Sequence, residues 1–211
     1  MNNSKIGVLF DLDGVLLDTE GIYSEFWAKV DELFPTGVDN FTSEIKGSNL
    51  ETILGTYFPK EQHDEIVDIL QTFQKDMPYN YFPGAIEFVK ALHDEGIPMC
   101  IVTSSDARKM EAVYAQHPEF RGYFKDVVLG EMVSQPKPSP ECFLLGAKLL
   151  GVKPQDCYIF EDSINGLKSA QAVGGKVIAL STTNKVERVA PFSLLVIDSF
   201  EKFTVDNMLS L

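Results

Sequence analysis

Apolar residues follow two different rhythms along this chain. Residues 6–10, Met99-Cys100-Ile101-Val102 and Cys157-Tyr158-Ile159-Phe160 are short, unbroken apolar runs between polar stretches, the pattern of strands buried on both faces. Val127-Val128-Leu129, Val177-Ile178-Ala179-Leu180 and Leu194-Leu195-Val196 extend the series. Between them the apolar positions recur at helical spacing. The pattern predicts a helix over 85–95 stopped by Gly96, another capped by Asp106, and one opened by Ser139-Pro140 and closed by Gly151. A further helix is capped by Ser163 and stopped at Gly174-Gly175, and a last one begins near Phe200. Strands alternating with helices in this way imply an α/β fold, an open parallel sheet covered by helices on both sides.

Residues 17–81 break that alternation. A helix starting near Glu20, with Asp18 or Thr19 as its cap, carries the stripe Ile22, Phe26, Val30 and Leu33, widened by Tyr23 and Trp27. Pro35-Thr36-Gly37 ends it. Leu50, Ile53, Leu54, Tyr57 and Phe58 form a second stripe, and Ile66, Ile69, Leu70, Phe73 and Met77 a third. No strand pattern interrupts these three, and Pro78, Pro83 and Gly84 mark the far boundary. The expected organisation is a core made of 1–16 and 82–211, interrupted by a helical insert at 17–81.

Composition narrows the function classes. With 211 residues the chain can bury a sizeable core, and its apolar fraction of 45% is ordinary for a globular protein. A formal charge of −13 argues against nucleic acid, whose phosphates need a basic face, and against an anionic membrane surface. Cys100, Cys142 and Cys157 are odd in number and widely spaced, which points to reduced thiols and a cytoplasmic setting. The polar start, Met1 to Lys5, has no apolar signal region. A monomer is expected.

The candidate chemistry sits where strands end. Asp11 and Asp13 follow the first strand and, two residues apart, share a face of it. Thr103 and Ser104 follow the second predicted strand, and Glu161 and Asp162 follow Phe160. Lys137 lies in a loop between a strand and a helix that opens on the same edge. In open parallel sheets ligands bind outside the carboxyl ends of the strands, so all four groups are expected at one rim. Four acidic residues offering only oxygen ligands suit a hard cation, Mg²⁺. With that ion present, Asp11 is a candidate nucleophile toward phosphorus, forming an aspartyl-phosphate. Lys137, the Thr103 hydroxyl and the Ser104 backbone N–H would hold the phosphoryl oxygens. Asp13 would protonate the leaving alcohol and later deprotonate the attacking water.

Asp11-Leu12-Asp13-Gly14-Val15-Leu16-Leu17-Asp18-Thr19-Glu20, Thr103-Ser104-Ser105, Lys137-Pro138-Ser139-Pro140 and Phe160-Glu161-Asp162-Ser163 resemble the four ordered motifs of the haloacid dehalogenase superfamily. The insert resembles the helical cap of its β-phosphoglucomutase-like and phosphoglycolate-phosphatase-like branch. The resemblance spans essentially the whole chain. It implies a Rossmann-like core, Mg²⁺, Asp11 as nucleophile, Asp13 as acid/base and Asp162 as metal ligand. It also implies that the Asp13 backbone carbonyl reaches the metal, that Glu161 stands at or next to it, and that Ser105 belongs to the phosphate-binding motif. Lys46-Gly47 matches that branch's substrate-contacting cap loop. The cap would close over the core and exclude water.

Two departures bear on the reaction. β-Phosphoglucomutases carry a histidine where this chain has Tyr23, and a phosphate-binding arginine where it has Leu50. A mutase must hold two phosphates, and Leu50 cannot donate to one. The expected function is therefore a Mg²⁺-dependent phosphatase acting on a small phosphorylated metabolite, a sugar phosphate, with a mutase as the alternative. A haloacid dehalogenase would lack Asp13. A phospho-receiver domain would be shorter, with its acidic pair first and no helical insert. A catalytically silent binding protein would not need the full set of motif residues.

Overall fold

In chain order the backbone runs from β1 (Gly7–Phe10) into four helices, α1 (Glu20–Leu33), α2 (Phe41–Glu44), α3 (Leu50–Tyr57) and α4 (His63–Asp76). It then continues through α5 (Ala85–Asp94), β2 (Met99–Val102), α6 (Ala107–Gln116), α7 (Phe120–Tyr123), β3 (Asp126–Val128) and α8 (Glu141–Leu150). The last third holds β4 (Cys157–Glu161), α9 (Ile164–Val173), β5 (Lys176–Leu180), α10 (Val186–Val189), β6 (Leu195–Ile197) and α11 (Val205–Leu209). This computed structural model describes residues 6–211, so the reading of Met1 to Lys5 as a polar start lies outside the described residues.

The six strands of the described residues pair in parallel in one sheet, in the order β3-β2-β1-β4-β5-β6. The α/β architecture expected from the alternating pattern is the one observed. The chain winds outward from β1 through β2 to β3, then returns to the other side of β1 with β4. A crevice opens where the winding reverses, between β1 and β4. Alternation along the strands explains why each reads as an unbroken apolar run. Val8 and Phe10 face one cluster with Phe88, Leu92, Met110 and Phe160. Leu9 faces the other, with Phe143, Ala147, Ile159 and Leu167. Both faces are covered, so the central strands β1 and β2 carry no polar residue.

The helices α1 to α4 lie between β1 and α5 and bury a third cluster of their own, including Phe26, Trp27, Phe41, Ile53, Phe58, Ile66 and Leu70. Phe26 and Phe73 stack with centroids 4.4 Å apart. The chain enters and leaves this helical segment side by side. Asp18 N–H donates to Asn80 O at 2.9 Å and Phe82 N–H to Leu16 O at 2.9 Å, with Leu17 and Tyr81 paired antiparallel between them.

Three local expectations are corrected. Leu33 was expected in the buried stripe of α1 but is 64% exposed: it occupies the last helical position, where the backbone turns away at Phe34. The helix expected from Phe200 begins at Val205, where Thr204 supplies the cap; Phe200 itself packs against Phe88 and Phe160 at 5.2 and 5.4 Å. Helix α8 starts at Glu141, with Pro140 in the cap position and no side-chain cap bond.

Candidate active site

Strand register brings the predicted residues to one edge. Phe10 pairs with Ile101 on one side and Phe160 on the other, so Asp11, the next residue, emerges beside Glu161. Its N–H donates to Phe160 O at 3.0 Å. Lys137, from the loop before α8, reaches in from outside the sheet. Its Nζ stands 2.5 Å from Asp11 Oδ1 and 2.9 Å from Glu161 Oε1, and donates to Val102 O at 3.3 Å. Glu161 is braced from its far side by the Ser163 N–H at 2.7 Å and by the Ser163 hydroxyl at 3.0 Å. Ser163 also caps α9, as its place before the helix predicts.

Asp11, Glu161 and Asp162 each offer a carboxylate oxygen within 4.8 Å of the others, all three buried. Among the described residues one ammonium, that of Lys137, pairs with this set. Burial works against the Lys137 charge, but Asp11 and Glu161 together outweigh it and hold the ammonium protonated. The carboxyl of Asp11 moves the other way, up to about 8: burial is the largest cause, and Glu161 and Asp13 add to it against the pull of Lys137. Asp162 is pushed well up by burial and by Glu161. These opposed shifts share one origin. Three carboxylates around a single lysine carry two negative charges too many, so the lysine is held charged while Asp11 and Asp162 are pushed toward their neutral forms. A divalent cation bound by these oxygens would restore neutrality, and an all-oxygen, three-carboxylate set suits a hard ion.

Asp13 is sorted away from that cluster. The structure divides the four acidic residues expected together, because another lysine claims this carboxylate. Lys109, on α6, stands 2.5 Å from both Asp13 oxygens. Ser105 donates to Oδ2 at 3.2 Å, and the Thr19 hydroxyl donates to Oδ1. Thr19 does occupy the cap position of α1, but its side chain makes no cap bond because it is spent on Asp13. Gly14 makes the tight turn that follows. Its φ is +76°, its N–H donates to Leu17 O at 2.8 Å, and a side chain there would collide with the Asp162 carboxylate.

Thr103 is buried at the end of β2, its hydroxyl accepting from the Ser105 N–H at 3.0 Å. The Ser104 hydroxyl donates to Gly47 O at 3.3 Å, which ties the core rim to the loop after α2. Gly47 has φ +78°, and a Cβ there would lie 2.8 Å from the Ser163 hydroxyl, so the helical segment sits directly on the rim. Lys46, beside it, pairs with Glu20 at 3.4 Å. Between rim and helices lies a cavity of about 670 Å³. Its floor includes Asp11, Asp13, Thr103, Lys137, Glu161 and Asp162; its helical wall includes Tyr23, Trp27, Lys46, Leu50, Leu54 and Leu70.

Several residues at the site escaped sequence reasoning. The loop after β5 contributes the Thr183 hydroxyl to Asp162, Asn184 Nδ2 to Asp162 O at 3.1 Å and the Thr182 hydroxyl to Gly14 O at 2.6 Å. The run Ser181-Thr182-Thr183-Asn184 at the carboxyl end of a strand was the available signal. For Lys109 the signal was a charged residue one turn before the buried Val113, on the inward face of α6.

A family model described as haloacid dehalogenase-like hydrolase matches residues 7–174. Hexitol phosphatase A of Escherichia coli is 34% identical over 209 residues, covering 94% of this chain and 93% of that protein. A probable pseudouridine-5'-phosphatase of Drosophila melanogaster is 34% identical over 186 residues, 81% of this chain and 79% of that protein. Among solved structures, CbbY from Rhodobacter sphaeroides in complex with phosphate superposes with a TM-score of 0.82 at 22% identity, covering 97% of this chain and 99% of that one.

Proposed function

The chain belongs to the haloacid dehalogenase-like hydrolase family, and from that premise we propose that it is a Mg²⁺-dependent phosphatase for a small sugar phosphate, working through a phosphate ester on Asp11. One observation carries the reading: a buried aspartate at the sheet's switch point, held by Lys137 at 2.5 Å within a cluster whose negative charge the protein does not balance. Asp11, Asp162 and the Asp13 backbone carbonyl would hold the ion, with Glu161 beside them. The bound ion would supply positive charge to the phosphoryl oxygens as an anion approaches an anion.

The chain's own groups account for the remaining steps. An Asp11 carboxylate oxygen attacks phosphorus while the bond to the leaving oxygen breaks. Lys137, the Thr103 hydroxyl and the Ser104 N–H hold the phosphoryl oxygens through the crowded geometry. Asp13 gives its proton to the departing alkoxide, then takes one from the water that hydrolyses the aspartyl ester. We read residues 17–81 as a cap whose contact at Gly47 closes the cavity and keeps water out until substrate is bound. A cytoplasmic location is part of this reading, supported by three cysteines that are all free and buried. Among the described residues, no helix is long and apolar enough to cross a membrane.

Phosphatase is favoured over mutase by the cavity wall. No arginine lines it among the described residues, Leu50 stands where a second phosphate would need a donor, and Lys46 is already paired with Glu20. The names carried by the relatives, hexitol phosphatase and pseudouridine-5'-phosphatase, support a sugar-bearing monophosphate. The deciding experiment is a Mg²⁺ assay against a panel of phosphorylated metabolites. Glucose 1-phosphate should be followed for both phosphate release and isomerisation. Release from one or more sugar monophosphates is expected; conversion to glucose 6-phosphate, stimulated by a bisphosphate, would overturn the choice of phosphatase.

A further inference from the structure

Lys109 is a buried cation for which the steps above have no use. Its side chain is 3% exposed, and Nζ sits 2.5 Å from both oxygens of Asp13. On its other side the ring of Tyr23, on α1, lies with its centroid 4.3 Å from the ammonium. The Tyr23 hydroxyl in turn accepts from Gln74 on α4 at 3.0 Å. A buried ammonium loses its hydration and is retained only where fixed partners replace the water. Here those partners are one carboxylate and one aromatic face.

The two aspartates are therefore held by two different lysines from two different parts of the chain. Both lie at the floor of the cavity, Lys137 holding Asp11 beside Glu161 and Lys109 holding Asp13 on the side nearest Tyr23 of α1. Thr19 and Ser105 complete the grip on Asp13, one oxygen each. An aspartate carboxylate turns about χ1 and, with little preference, about χ2, so without these partners it would sample several directions. We propose that Lys109 is the positioning residue of Asp13, fixing its carboxylate on the leaving-group side of the cavity and linking that placement to the helical segment through Tyr23. The inference rests on the assignment of Asp13 as acid/base. Proton transfer demands close approach, and a misplacement of about 1 Å can cost on the order of 100-fold in rate. In the first step it matters only for a leaving group that needs the proton. A sugar alkoxide does; p-nitrophenolate does not. The water attack of the second step is the same for every ester.

Lys109→Met, Lys109→Arg and Asp13→Ala are to be compared with the wild type, with Mg²⁺, on the best sugar phosphate of the panel and on p-nitrophenyl phosphate. In a single turnover, which reads the first step alone, Lys109→Met is expected to lose ~100-fold in the rate of leaving-group release from the sugar phosphate, with half-saturation within ~3-fold, and no more than ~3-fold in that rate on p-nitrophenyl phosphate. Lys109→Arg should recover part of the loss, since it restores a cation. A merely structural lysine would lower both rates alike. Equal losses on the two esters, or an effect confined to KM, overturn the positioning role while Asp13→Ala remains selective for the sugar phosphate. If Asp13→Ala itself loses equally on both, the acid/base assignment falls and this inference falls with it. Should Lys109→Met not fold, Lys109→Gln carries the same comparison.

Discussion

The rim of the sheet and the helical wall facing it are built on opposite plans. At the rim nearly every polar side chain is committed to another: Asp11 to Lys137, Glu161 to Lys137 and Ser163, Asp162 to Thr183, Asp13 to Lys109. Much of the wall, Leu50, Leu54 and Leu70 among it, has side chains with no donor or acceptor to fix a direction. Its one lysine, Lys46, makes a looser pair with Glu20 at 3.4 Å, each side chain about a quarter exposed. A reaction that must bring charge against charge needs groups that do not reorganise. Choosing among sugar phosphates needs only shape and a few donors. The contrast implies that rim substitutions should change kcat and wall substitutions KM.

The sharpest way to break that division is Asp11→Asn. Loss of at least ~10⁴-fold in kcat is expected, because the attacking oxygen is gone and its neighbours act as a unit with it. The same variant should melt at a higher temperature than the wild type when both are metal-free, since it removes one of the two unbalanced charges while Lys137 keeps Glu161 as partner. Residual turnover near the wild-type level, measured by phosphate release, would remove Asp11 from the mechanism. A lower metal-free Tm would show that the ion pair outweighs the charge excess.

Much of the rim was legible in the sequence, for a physical reason. A residue that ends an apolar run must leave the sheet at its edge, so Asp11, Thr103 and Glu161 could be placed together from strand order alone. Helix caps are equally local, and Asp106 and Ser163 both accept from the backbone as their positions predict. Thr19 was not legible in this way. Its hydroxyl had a choice between its own helix and Asp13, and only tertiary structure decided it. Lys109 and Thr183 reach the site from helices and loops that become neighbours only after folding. The wall resists prediction most, since an apolar stripe that packs against another helix looks the same as one that faces a cavity.

A second, smaller effect tests the charge excess directly through pH. The Asp11 carboxyl lies near 8 in the metal-free fold, above its ordinary value of 3.8. For an acid raised on folding, the unfolded chain gives up the proton first, so stability is full below the unfolded value and falls as pH rises toward the folded one. The metal-free protein should therefore lose up to about 1.4 kcal/mol per pH unit from this group between pH 5 and 8. Thermal melts at pH 6 and 8.5, with and without Mg²⁺, provide the measurement. The increment due to Mg²⁺ should be larger at pH 8.5, where Asp11 is ionised and has most to gain from a cation. An increment that is equal at both values would mean that the ion does not bind these carboxylates.

The smallest expected effect lies on the wall, and it is the one most able to blur the division. Leu50 opens α3 beside the cavity, capped by Asn49, whose side chain accepts from Thr52 N–H at 2.9 Å. Leu50→Ala keeps that cap and removes only apolar surface, so the helix start should survive. On the preferred sugar phosphate KM should rise by about tenfold or less, the usual consequence of trimming a pocket wall, while kcat stays within about twofold. With p-nitrophenyl phosphate the ranking should weaken, because its leaving group has no hydroxyls to be oriented against this wall. If kcat falls instead and KM does not move, Leu50 acts in the transition state. The helical segment would then take part in the chemistry through the contact between Gly47 and Ser104, and rim and wall would be one catalytic unit.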